Sequence, residues 1–264
     1  MTDNKQQTTN NKYRIGTSGY SFPDWVGTFY PPTTRSVDMF DRYVEHFNTV
    51  ELNFTYYRVP SAGTMQKLAR VSPEGFAFWV KANQEITHKH NRSASREFID
   101  NLQPLTDSLK LAGVLFQFPQ GFHRTTANRR YLAAALEDFA PLPTAVEFRH
   151  RSWDHPLTLR SLRERSVTLV VPDVPALPDL YSVPAAATTA TGYLRLHSRN
   201  ARNWYAGEKD RYDYGYSEQE MRELLREWEA LAGQVDRVYV YFNNCHAGQA
   251  ARNAEAFGRL LEGL

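Results

Sequence analysis

Cysteine is almost absent: Cys245 stands alone in 264 residues. No intramolecular disulfide can staple the fold, and the chain is expected to work in a reducing cytosol. Long apolar runs are missing as well. Nothing approaches the roughly 20 apolar residues that a bilayer crossing needs, and the opening MTDNKQQTTNNK has no signal-peptide core, so no membrane partner is expected. Charge of one sign is not in large excess. A net charge of +2 and a pI near 8.6 are too mildly basic to demand a nucleic-acid partner. The dinucleotide fingerprint GxGxxG is lacking too, since GTSGYS (16–21) has the wrong glycine spacing. No cofactor is expected, and nothing in the sequence sets the oligomeric state.

What is present suits a chain with ample core: 42% hydrophobic and 23% charged residues. Residues 1–12 read as a disordered tail and 13–264 as one domain. Eight β-rich runs recur, at 13–18, 49–54, 76–83, 112–118, 145–150, 168–173, 192–198 and 237–244. Segments with helical spacing lie between them, opened by start signals such as Ser61 and the Ser217–Glu220 capping box. This alternation predicts a mostly parallel sheet covered on both faces, and at this length a closed TIM-barrel-like (β/α)8 barrel. One crossover departs from the pattern. Between Asp173 and Gly192 the prolines at 175, 178 and 184 predict irregular structure instead of a regular helix.

In a closed barrel, successive strand residues point alternately to the interior and to the helices. The run AVEFRH (145–150) then sends Val146 and Phe148 outward and Glu147 and Arg149 inward. The same parity turns Glu51, Asn53, Lys81, Arg195, His197, Tyr241 and Asn243 inward, with Gln117 and Asp173 placed at their strand ends in the same way. All of these converge on the C-terminal mouth, where active sites of this architecture lie. Buried charges must be paired or put to use. Two readings stay open, an ion-pair network plugging the barrel and a working site.

Several motifs, in order, resemble the domain of unknown function 72 family, also called YecE-like proteins: IGTSGYSFPDWVGTFYPP, FNTVELNFTYYRVPS, FWVKAN, GVLFQFP, AVEFRHRSW, YLRLHS and YVYFNNCHAGQAARNA. The resemblance spans roughly residues 13–262. It implies a TIM-barrel-like fold and no particular activity. This chain has serine in RLHS where the family usually has glycine, and proline just before the aspartate in VVPD.

Glu147 is the first candidate for a general acid or base, its pKa raised by burial and tuned back by Arg149 and Lys81; its other reading is a plain salt-bridge partner. Lys81 is suited to anion binding, or to imine formation if desolvation lowers its pKa. Glu51 and Asp173 complete the catalytic candidates. Arg149, Arg195, His197, Asn53, Gln117, Asn243, Tyr241 and Trp204 are the candidate substrate contacts. Glu51, Glu147, Asp173 and His197, with His88 and His90 nearby, offer metal ligands, but Lys81, Arg149 and Arg195 oppose a dication, and no metal is expected. The helix starting near Ala247 offers N–H groups to a phosphate, unless Asn243 and Asn244 cap it.

These residues point to a hydrolase or lyase acting on an anionic small molecule, such as a phosphorylated sugar or nucleotide. The loop 198–216 interleaves Arg199, Arg202, Lys209 and Arg211 with Trp204, Tyr205, Tyr212, Tyr214 and Tyr216. It supports an alternative, nucleic-acid binding or processing, or else forms a lid whose aromatics pack on the barrel. A non-catalytic ligand sensor is the third reading.

Overall fold

Eight short strands carry the architecture: β1 (Tyr13–Thr17), β2 (Thr49–Leu52), β3 (Ala77–Lys81), β4 (Leu111–Gln117), β5 (Thr144–Glu147), β6 (Thr168–Asp173), β7 (Thr191–Leu196) and β8 (Arg237–Phe242). They come from a computed structural model that describes residues 12–182 and 184–263; the expected tail falls almost wholly outside these. The strands run parallel in the order β1-β8-β7-β6-β5-β4-β3-β2, with helices between most of them. The result is a nearly closed (β/α)8 barrel, as the alternation predicts. Several strands end sooner than their apolar runs suggest, so Asn53, Arg149, His197 and Asn243 lie just past them.

The predicted alternation sorts the apolar residues into two layers. Val50, Leu52, Val80, Val146, Phe148, Leu194, Leu196, Val240 and Phe242 pack in the large core between strands and helices. Trp79, Leu115, Ala145, Val170, Tyr193, Tyr239 and Tyr241 form a separate cluster that fills the inside of the barrel. Apolar packing therefore floors the lower barrel and leaves polar chemistry to the mouth.

Closure is least regular between β1 and β2. A single bridge joins Ser18 to Glu51, and the Gly19 N–H donates to the Glu51 carbonyl at 2.8 Å. Below it Tyr43, from the helix Met39–Tyr43, pushes its hydroxyl into the seam. That hydroxyl accepts from the Thr17 N–H at 2.9 Å and donates to the Thr49 carbonyl at 3.0 Å. Gly16 makes this approach possible, because a Cβ there would stand 2.4 Å from the Thr49 carbonyl oxygen.

The helix start signals operate as read. Ser61 Oγ accepts from the Thr64 N–H at the head of Ala62–Val71, and the capping box at Ser217 and Glu220 opens Glu218–Gln234. Between β6 and β7 the described residues contain no helix. There the Thr188 hydroxyl donates to the Val167 carbonyl and accepts from the Leu169 N–H, both at 2.8 Å, holding the irregular crossover against β6. Among the described residues no helix is long and apolar enough to cross a membrane.

Candidate active site at the barrel mouth

The strand ends deliver six of the sequence-derived candidates to one pocket of about 640 Å³: Asn53, Lys81, Gln117, Arg149, Trp204 and Asn243. Tyr56, His88, Arg211 and Tyr212 line it too, as does Ser18. Ser18 was missed, although the signal was there: the inward parity of Gly16 on β1 extends to it.

Under the pocket floor is a buried ion chain. The Arg195 guanidinium donates to Glu51 Oε1 at 2.7 Å and, through its other terminal nitrogen, to Glu147 Oε2. Tyr193 donates its hydroxyl to the second oxygen of Glu51 at 2.5 Å. Glu147 is also ion-paired with Arg149. Glu51, Glu147 and Arg195 are buried, and none of them lines the pocket. Removing Arg195 would leave the buried Glu51 without a cationic partner and Glu147 with Arg149 alone, a change that typically costs about 3–5 kcal/mol.

This arrangement corrects the expectation for Glu147. Burial alone would raise its pKa, but the adjacent charges of Arg149 and Arg195 outweigh it and hold the carboxyl well below the usual range. It is a carboxylate at neutral pH with no proton to give and little basicity. Tyr241 also lies below the site, its hydroxyl 2.5 Å from Thr49 Oγ1. His197 is buried; its Nδ1 accepts from Asn243 Nδ2 at 2.9 Å and its Nε2 lies 3.4 Å from Glu147 Oε1. Burial and Arg149 push its pKa down to about 3, so the ring is neutral and serves to orient Asn243.

Asp173 is not part of the group. On β6, Val170 faces the interior and Leu169 and Val171 face the helices, so Asp173 shares the outward phase. Arg199 grips both of its oxygens at 3.0–3.1 Å, and the Tyr216 hydroxyl donates to it at 2.6 Å. The candidate metal set is thereby split. Among the described residues no three His, Cys, Asp or Glu side chains converge as ligands.

The expected phosphate position after β8 holds a carboxylate of the chain itself. The Ala247 N–H donates to Asp24 Oδ2 at 2.7 Å, and the helix starts only at Gln249, after Gly248 at φ 74°. Asn244 reaches Tyr214 and Asn253 and caps nothing there. Cys245 lines the pocket, but burial pushes its thiol up and away from thiolate chemistry. Of the aromatics on the loops after β1 and β2, Trp25 and Tyr30 belong to the core, whereas Tyr56 and Tyr57 line the pocket.

The loop 198–216 folds over this mouth. Trp204 is 2% exposed, with Arg211 5.2 Å and Arg149 5.9 Å from its ring centroid. Tyr216 is buried, and Arg211 Nε donates to the Trp204 carbonyl at 2.7 Å. Trp204, Tyr216, Arg199 and Arg211 of the loop are thus engaged with the chain itself.

The family model described as "Protein of unknown function DUF72" matches residues 14–263. The chain belongs to the DUF72 family. It is 34% identical to the UPF0759 protein YunF of Bacillus subtilis (strain 168), with 94% of each chain covered. Among solved structures it is similar to a DUF72 family protein of Thermotoga maritima MSB8, at 39% identity and a TM-score of 0.88 over 95% of this chain and 99% of that one. A DUF72 family protein of Enterococcus faecalis V583 follows at 27% identity and a TM-score of 0.83, with 96% of each chain covered.

In this DUF72 protein the electrostatics of the pocket are one-sided. Lys81, Arg149 and Arg211 line it, and among the described residues no aspartate or glutamate does. The acids of the barrel are committed to arginines, which leaves Lys81 without a carboxylate partner among the described residues. Its Nζ lies 4.5 Å from the Tyr56 ring centroid. Burial and the Arg195 charge push its pKa down to about 8, and burial and Lys81 push His88 down to about 4. Ser198, the departure in RLHS, is buried and accepts from the Asn200 N–H at 3.0 Å, which sets the start of the loop and does not line the pocket.

Proposed function

We propose that this protein is an enzyme of the lyase type that takes a small anionic molecule into the mouth of its barrel. One observation carries the reading: the pocket lining holds Lys81, Arg149 and Arg211 and, among the described residues, no carboxylate, with Glu147 meeting Arg149 only from below the floor. Arg149 and Arg211 are permanent charges, and Arg149 offers a planar fork suited to a carboxylate or phosphate. The aromatic walls Tyr56, Trp204 and Tyr212 suit the less polar body of such a ligand. Hydrolysis by paired carboxylates has lost its support, because Glu51 and Glu147 are tied to Arg195 below the floor. Proton transfer near neutral pH falls instead to Lys81, whose pKa of about 8 suits it.

A thermal-shift series tests this, using inorganic phosphate, pyrophosphate, sugar phosphates, nucleotides, neutral sugars and short single-stranded DNA. A ligand at about 100 times its Kd adds roughly 2.7 kcal/mol, a rise of several degrees. The rise is expected with the small phosphorylated compounds, should shrink with added salt, and should be lost in Lys81→Met and Arg211→Met. Equal shifts from neutral sugars, or a response to DNA alone, would overturn the proposal.

A further inference from the structure

We infer that Lys81 is a covalent catalyst, an amine that condenses with the carbonyl group of an anionic substrate to form an imine. The inference rests on the anion-site reading and adds the substrate class: a molecule with an aldehyde or ketone and a carboxylate or phosphate in one small body. Four observations lead to it. Lys81 is the last residue of β3 and opens into the pocket. Neither Glu51 nor Glu147 can hold it as an ammonium by a direct ion pair, because both are committed to arginines. It has the Tyr56 ring beside it and a guanidinium, Arg149, lining the same pocket. Finally, Asn53 Oδ1 is buried with no hydrogen-bond partner while its side chain lines the pocket, so it offers an acceptor for a hydroxyl formed there.

Two other lysines serve differently. Lys89 pairs with Glu85 at 2.6 Å, and Lys110 donates to the carbonyls of Ala69 and Ser72. Lowering a lysine pKa from 10.5 to about 8 raises its neutral fraction at pH 7 by about 300-fold, so burial and charge act in the direction that the geometry requires.

The step balances without any other reactant. The ammonium of Lys81 gives up one proton, and its lone pair forms a C–N bond to the carbonyl carbon as the C–O π bond breaks toward oxygen. A second proton moves from nitrogen to that oxygen, giving a carbinolamine. The released proton returns, and the oxygen departs as water as the C=N bond forms. An ammonium and a carbonyl thus become an iminium and one water, with charge unchanged. The iminium then draws electrons from a bond at the neighbouring carbon, which is the chemistry a lyase needs.

Reductive trapping tests it. The full-length protein is incubated at pH 7 with glyoxylate, an aldehyde carrying a carboxylate, and sodium cyanoborohydride, then analysed by intact mass and peptide mapping. The chain has seven lysines, so each site is easily resolved. One reduced adduct per chain is expected, on Lys81, forming at least about tenfold faster than on exposed Lys67, a conservative reading of the gain in neutral amine. Propionaldehyde, which lacks the anion, should label Lys81 at least about tenfold more slowly than glyoxylate does, and pyrophosphate should protect it. Lys81→Arg, which keeps the charge, should retain the pyrophosphate thermal shift and lose the adduct. Labelling spread evenly over the lysines, or no Lys81 adduct while pyrophosphate still stabilises the protein, sinks the imine and leaves the anion site standing. Loss of both trapping and stabilisation sinks the two together.

Discussion

At Lys81, burial and the Arg195 charge act in the same direction, each favouring the neutral amine. In the unfolded chain the side chain returns to 10.5, so between about pH 8 and pH 10.5 the unfolded state binds more protons than the folded one. Stability therefore rises with pH across that window, and below it the cost of the buried ammonium is felt in full. Relative to Lys81→Met, the native protein should gain about 3 kcal/mol from pH 8 to pH 10.5, read from urea unfolding at both ends. Parallel curves for the two proteins would show that Lys81 titrates normally. That Lys81 and Arg149 face inward was legible, because Val80 and Phe148 beside them are apolar and set the phase. That Glu147 is held as a carboxylate was not, because its charge depends on Arg195, 48 residues away on another strand.

Among the elements, the β1–β2 seam depends most on one side chain. Tyr43→Phe keeps the ring and removes the oxygen, leaving the buried Thr17 N–H and Thr49 carbonyl without their partner. A loss of about 1–3 kcal/mol is expected from denaturant unfolding, along with faster amide exchange at Thr17 than at residues of the β7–β8 ladder. Unchanged stability and exchange would mean that the seam needs no staple. The strands themselves were legible wherever polar and apolar residues alternate. In β6 the run Thr168–Val171 contains Leu169, Val170 and Val171 in succession, which sets no phase, and Asp173 was for that reason assigned to the wrong face. The seam could not be read at all, since an interstrand gap leaves no periodic trace.

Across the whole molecule, the loop after β7 is clasped to the barrel from outside by Asp173, the residue that parity misplaced. Asp173 holds Arg199 and Tyr216, one near each end of the loop, while Trp204 packs near Arg149 and Arg211 in the pocket lining. Asp173→Asn weakens the clasp without touching the pocket lining. Faster limited proteolysis within residues 200–211 is expected, with weaker anion binding and a barrel that still unfolds cooperatively. Cleavage at the native rate would show that the packing of Trp204 alone holds the loop. The loop's mixture of cations and aromatics was plain in the sequence. Its side chains' partners were not, because a loop has no period from which to infer what each one meets.

The seam also bears on how the chain reaches this state. The first strand makes its regular ladder with the last, Tyr13 opposite Val238 through Thr17 opposite Phe242, and has only a bridge and a tyrosine on the side of its own sequence neighbour. During synthesis, β1 emerges long before the partner that holds it. Most of the barrel can assemble as a curved, open sheet, but the ring closes only after β8 has left the ribosome, so a contact of very long sequence separation governs the final step.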